Sequence, residues 1–174
     1  MNDPLDTLTE LFYPSRDQLG EFLPIEADEL PQQYHVLLAH HDHMTVTVEA
    51  WHNSLMQLRV LQEKRERDYY ARKIVLARQR DGVVVQFGIM RIDLRDLPDI
   101  VRLELQSQAL PLGRIMIRHH LLREVEVCQI WRIQPGRELR RHLQCGDDNP
   151  IYGRTARILV EGQPVVELLE IVTA

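Results

Sequence analysis

The chain is 174 residues long, 44% hydrophobic and 27% charged, the composition of a soluble one-domain protein that can bury roughly two-thirds of its unfolded surface. A formal net charge of −5 at pH 7 argues against a nucleic-acid partner, which calls for a basic surface. No apolar run approaches the ~20 residues that span a bilayer, and no signal-peptide core follows Met1. Cys128 and Cys145 form neither a CxxC nor a disulfide framework, so a cytoplasmic protein with two free thiols and no membrane partner is expected.

In chain order, residues 1–34 are acidic and hold four of the nine prolines, with short amphipathic pieces at 5–12 and 16–23. They are expected to form a loosely ordered N-terminal arm packing on a domain of residues 35–174. A helix over 29–39 leads into His40, His41, Asp42 and His43. Imidazoles and a carboxylate are zinc ligands, but this spacing matches no ligand motif and no partner cluster recurs downstream. Solvated loop histidines and no metal are expected. Met44–His52 reads two ways: its Thr and Val residues favour a strand, while Val46, Ala50 and Trp51 would line one helical face.

Alternation is clear from residue 54, with Met56, Leu58 and Val60 facing one way; residues 62–68 then read as a charged turn. Strands follow over 69–77 and 83–94, joined at an Asp81-Gly82 hairpin signal. Pro98 opens a helix with Ile100, Val101, Leu103 and Leu105 as its apolar stripe. Pro111-Leu112-Gly113-Arg114 breaks the chain before 115–120. A long strand over 122–133, a short basic helix over 138–143 and a closing hairpin turning at 161–164 complete the chain. The sum is an α+β domain: a single antiparallel sheet of about six strands with helices packed on it.

Three features carry candidate chemistry. The last strand is apolar on both faces yet bears Glu167 and Glu170, which a period of two places on opposite faces. One of them points either to solvent at a sheet edge or into a closed pocket as a paired or proton-exchanging carboxylate; pattern leaves open which. Arg72 shares a face with Tyr70, Ile74 and Leu76. It is either a snorkelling surface arginine or a fork that binds a carboxylate bidentately. Leu112 and Gly113, after Pro111, would expose backbone N–H groups suited to an anion. Together these describe a pocket for a small carboxylate-bearing molecule. No Gly-rich phosphate loop, GxSxG or Walker lysine is present.

These residues resemble, in order and spacing over 43–172, the chorismate lyases. The resemblance rests on His43-Met44-Thr45, Tyr70-Ala71-Arg72-Lys73-Ile74-Val75-Leu76, Leu97-Pro98, Pro111-Leu112-Gly113-Arg114, Tyr152-Gly153-Arg154, and Gly162-Gln163-Pro164 leading to Glu170. It implies a carbon–oxygen lyase that eliminates pyruvate from chorismate to give 4-hydroxybenzoate, in an enclosed pocket, with no cofactor. It implies that Arg72 holds the ring carboxylate, that Glu170 acts as the acid/base group at the ring hydroxyl end, and that Met44 and the backbone of Leu112 and Gly113 complete the contacts. Arg114 or Arg154 would meet the enolpyruvyl carboxylate. The pathway would be quinone (ubiquinone) or aromatic-metabolite biosynthesis, by a monomer or homodimer.

A second class of function stands beside it. The same scaffold serves as a non-catalytic binding or sensor protein for small molecules such as aromatic carboxylates, as in effector-binding domains of some bacterial transcription regulators. No helix-turn-helix pattern or basic recognition helix is read here, so a DNA-binding regulator is not expected.

Overall fold

The computed structural model describes residues 3–121 and 123–174. Its elements run α1 (Leu5–Glu10), a 3-10 turn (Arg16–Gln18), β1 (Gly20–Ile25), a second 3-10 turn (Ala27–Glu29), α2 (Gln32–Leu38), α3 (Met44–His52), β2 (Met56–Arg65), β3 (Tyr69–Arg78) and β4 (Val84–Asp93). Then come α4 (Asp99–Gln106), α5 (Leu112–Arg118), β5 (Arg123–Pro135), α6 (Arg137–Leu143), β6 (Ile151–Val160) and β7 (Gln163–Val172). The strands form one antiparallel sheet in the order β1-β5-β6-β7-β4-β3-β2. This is the expected α+β class, with seven strands where about six were expected.

The seventh strand is β1, hidden in the proline-rich arm. It pairs with β5 from Gly20↔Pro135 to Ile25↔Ile130. A proline within it is tolerated because β1 is an edge strand with one side unpaired. Gly20 sits at φ +143, and a Cβ there would lie 2.2 Å from the Gln134 carbonyl oxygen, so only glycine lets β5 approach this closely. The same arm buries Leu5, Leu8 and Leu19 against Phe87, Leu139 and Ile171 on one face of the sheet.

One ambiguity resolves by burial, and the charged turn expected over 62–68 is corrected by strand pairing. Met44–His52 is a helix that turns Met44, Thr45 and Val48 inward, a face offset from the Val46–Ala50–Trp51 stripe, whose Val46 and Trp51 are exposed. Residues 62–68 are mostly strand: β2 runs on to Arg65, and a short turn closes where the Glu66 N–H bonds the Tyr69 carbonyl at 2.9 Å. β2 is the other edge of the sheet, where solvated charges cost little and discourage edge-to-edge pairing. The closing turn is Glu161-Gly162, at φ +52 and +78, the two left-handed positions of a type I′ hairpin.

The sheet has two covered faces. α1 and α6 lie on one, with Val75, Phe87, Ile89 and Leu169. The segment from α2 to α5 lies on the other, over Tyr70, Leu76, Ile92 and Leu168. Both faces of the central strands are therefore apolar, as the closing hairpin suggested. Among the described residues no helix is long and apolar enough to cross a membrane.

Candidate functional site

Register decides what meets on the α2–α5 face. Arg72 pairs with Met90, Ile74 with Gly88 and Leu76 with Gln86 across β3 and β4. Gly88 pairs with Glu170 across β4 and β7, and Glu170 with Arg154 across β7 and β6. Residues opposite one another share a face. Arg72, Gln86, Glu170 and Arg154 are thus polar groups on an otherwise apolar floor. Gly88 removes a side chain from the middle of that floor. Met44 at the start of α3 and Leu112-Gly113 at the start of α5 form the roof. A Cβ on Gly113 would lie 3.0 Å from the His43 Cβ, so glycine allows the first turn of α5 to settle on His43. Between floor and roof is a cavity of about 50 Å³, room for more than a single water molecule.

Arg72 is 1% exposed. It donates to the Leu105 carbonyl at 3.4 Å and the Leu110 carbonyl at 3.2 Å. Its Nε–H is buried without an acceptor. Among the described residues no carboxylate pairs with it. The nearest cross-strand carboxylate, Glu63, is occupied: it accepts from the Tyr70 hydroxyl at 2.9 Å, Gln108 Nε2 at 2.7 Å and Arg65 Nε at 2.9 Å. Burial pushes the Arg72 guanidinium below the ordinary arginine value, with Tyr70 and then Glu63 pulling weakly the other way. The fold pays to hold this charge.

Arg154 is the opposite case. It is 0% exposed and donates from Nε to Glu170 Oε2 at 2.7 Å. Its Nη1 donates to the carbonyls of Leu38 at 3.2 Å and His40 at 2.6 Å, and its Nη2 to Asp42 at 3.1 Å. It ties the loop before α3 to the sheet.

Of the residues expected at the site, Met44, Arg72, Leu112, Gly113 and Glu170 line the one cavity. Arg154 lies beneath it with its donors committed, and Arg114 ion-pairs with Glu49 from a side chain that is 40% exposed; neither lines the cavity. Glu167 lies on the opposite face and pairs with Arg91 at 2.8 Å, so the strand ambiguity resolves with Glu170 inward. Of the histidines expected to be solvated in a loop, His41 is exposed and His40 half-buried, but His43 is buried. His43 is 8% exposed and lines the cavity, while His40 Nε2 meets the Leu37 carbonyl at 2.7 Å and His41 Nδ1 the Val125 carbonyl at 2.9 Å. Sequence reasoning missed Gln86. A lone amide in the apolar run Val83-Val84-Val85-Gln86-Phe87 was the available signal.

No family model matches the sequence, and no curated protein matches it significantly. Solved structures of similar fold exist. One is the ligand-binding domain of a GntR-family transcriptional regulator from Bordetella bronchiseptica, 9% identical, covering 68% of this chain and 86% of that one at a TM-score of 0.51. Another is PhnF from Mycobacterium smegmatis, 10% identical, covering 98% of this chain and 92% of that one at a TM-score of 0.52. These similarities speak to the fold, which is the chorismate-lyase-like fold expected.

The expectation of an enzyme is corrected here. The similar structure of stated role is a ligand-binding domain, not a lyase. The site gives the physical reason. Elimination from chorismate needs a second cation for the enolpyruvyl carboxylate and an uncommitted acid/base group. Arg154 is committed to Glu170 and three carbonyls, Glu170 is ion-paired through Oε2 with Arg154, and Arg114 is paired with Glu49. The assignments to lyase chemistry, to chorismate and 4-hydroxybenzoate and to a biosynthetic pathway fall with it. The exclusion of a nucleic-acid partner also gains no support from similarity to a domain of a transcription regulator.

Proposed function

We propose that the chain is a binding domain for a small carboxylate, a sensor with no chemistry of its own at the site. One observation carries this reading: Arg72 is a buried cation on a cavity wall, without a carboxylate partner among the described residues and with its Nε–H unused. A buried charge is retained against its desolvation cost only where something pairs with it. Nε and one Nη nitrogen form an edge of the guanidinium that accepts a carboxylate through two parallel hydrogen bonds. Met44, Leu112 and Gly113 supply the roof, and Glu170, neutralised by Arg154, closes the far wall. Residues 3–34 act as an arm that adds β1 to the sheet of the domain of 35–174, and the protein works in the cytoplasm, in keeping with two free thiols.

The site has a route outward. Arg72 holds the carbonyls of Leu105 and Leu110, which flank the connection from α4 to α5. An anion that takes hold of the guanidinium changes the hold on that connection. Calorimetric titration with pentanoate and with the uncharged pentanol tests the reading. Pentanoate binds the wild-type protein, pentanol does not, and Arg72→Met abolishes the difference. Equal binding of pentanoate by wild type and Arg72→Met overturns the assignment.

A further inference from the structure

The amide of Gln86 has no role in the fold. Gln86 is 5% exposed and lines the same cavity as Arg72. Its side chain makes no hydrogen bond among the described residues, and its Oε1 is buried without a donor. A methionine of similar volume would avoid that cost. Buried polar groups left open on a cavity wall are the mark of a site completed by a ligand.

Its position tells what it would touch. Gln86 pairs with Leu76 and with Val172, while Arg72 pairs with Met90, four residues further along β4. That is about 13 Å along the strand. Both side chains line the cavity, together with the apolar Ile74, Leu76, Met90 and Leu168, so an apolar stretch separates the two polar groups. Glu170 pairs with Gly88, two residues from Gln86. Gly88 is equally two residues from Met90, so Glu170 stands midway between the two ends, its charge already paired with Arg154.

Resting on the carboxylate reading above, we infer that Gln86 recognises a second, uncharged polar group at the far end of the ligand. The ligand class is a monocarboxylate with an apolar spacer of a few carbons and a distal hydroxyl or carboxamide. An amide can give and take a hydrogen bond, so either distal group suits it. A second carboxylate is disfavoured, because among the described residues Arg72 is the one arginine or lysine lining the cavity, and the first carboxylate takes it.

Four probes of one chain length separate these groups: pentanoate, 5-hydroxypentanoate, the half-amide of glutarate, and glutarate. Dissociation constants are read from methyl NMR shifts of the lining Met44, Met90 and Leu168. In the wild type, the hydroxy acid and the half-amide bind about three- to tenfold tighter than pentanoate, the worth of one buried hydrogen bond. Glutarate binds more weakly than its half-amide. Gln86→Met still binds pentanoate but levels it with the hydroxy acid and the half-amide. Arg72→Met loses all four. If wild type binds pentanoate as tightly as the half-amide, or if the ranking survives in Gln86→Met, the inference falls and the carboxylate reading stands. If none of the four binds the wild type, the carboxylate reading itself falls and takes the inference with it.

Discussion

Two buried arginines stand on the same face of one sheet, and their surroundings are opposite. Arg154 has a carboxylate and three carbonyls; Arg72 has two carbonyls, an idle Nε–H and no carboxylate among the described residues. Residue type and burial are the same, so neither distinguishes a structural arginine from a receptive one. The count of satisfied donors does. Where the fold provides a partner for every donor, the charge belongs to the architecture. Where it leaves a buried charge without a counter-charge and a donor without an acceptor, the partner comes from outside.

The largest effect is expected at the satisfied arginine. Arg154→Met leaves Glu170 as an unpaired buried carboxylate and releases the carbonyls of Leu38, His40 and Asp42. Breaking one side of such a pair costs roughly 3–5 kcal/mol. Urea denaturation should show that loss, and Arg154→Met with Glu170→Met should recover part of it, since the two changes are coupled. A double variant no more stable than the single one would mean the pair adds nothing to the fold.

Arg72→Met should do the reverse, leaving the stability of the free protein within about 1 kcal/mol, because the charge it removes was unpaired. Its loss should appear in carboxylate binding, by roughly 2–5 kcal/mol, the cost of removing one side of a buried charge pair. Titration with pentanoate measures it. A large loss of stability with unchanged binding would make Arg72 a second Arg154.

A smaller gain is expected at Gln86. Gln86→Met removes a buried amide without partners and should raise stability by about 1 kcal/mol. A drop would mean that the amide serves the free fold after all, and thermal unfolding without ligand decides it.

The smallest effect is a pH dependence near Arg154. His40 titrates below its ordinary value, held down by burial first and by the Arg154 guanidinium second, against the Leu37 carbonyl. Its folded value lies below its unfolded one, so the unfolded chain takes up its proton first. The stability it contributes is present above about pH 6.5 and is lost as pH falls from there through the lower folded value. His52 and His142 are also held down, chiefly by burial, and act in the same direction. The urea midpoint should therefore fall from pH 7.5 to 5.5, and His40→Gln should flatten the fall. An unchanged slope in His40→Gln would detach this histidine from the Arg154 unit.

Much of the fold was legible because short-range pattern carries it. The alternation at Met56, Leu58 and Val60, the Asp81-Gly82 turn and the apolar runs around Gly162 reflect the period of a strand and the backbone freedom of glycine, which are properties of neighbouring residues. β1 was not legible. Gly20–Ile25 has no strand pattern of its own, and pairing with β5, more than 100 residues away, makes it a strand. Met44–His52 was undecided for the same kind of reason, since β-branched residues serve either state and packing of Met44 and Val48 chose the helix.

At the site, the chain by itself marked Arg72 and one of Glu167 and Glu170 as charges at odds with apolar neighbours, while Arg154 entered only through the resemblance. Which of these charges the fold neutralises, and which it leaves open, was decided by register and by the path of the loop before α3. Glu170 lies opposite Arg154 because β6 and β7 pair in one register, and the carbonyls of Leu38, His40 and Asp42 arrive from a distant stretch of chain. A linear sequence holds the donors and acceptors but not their distances, and satisfaction of a hydrogen bond is a matter of distance.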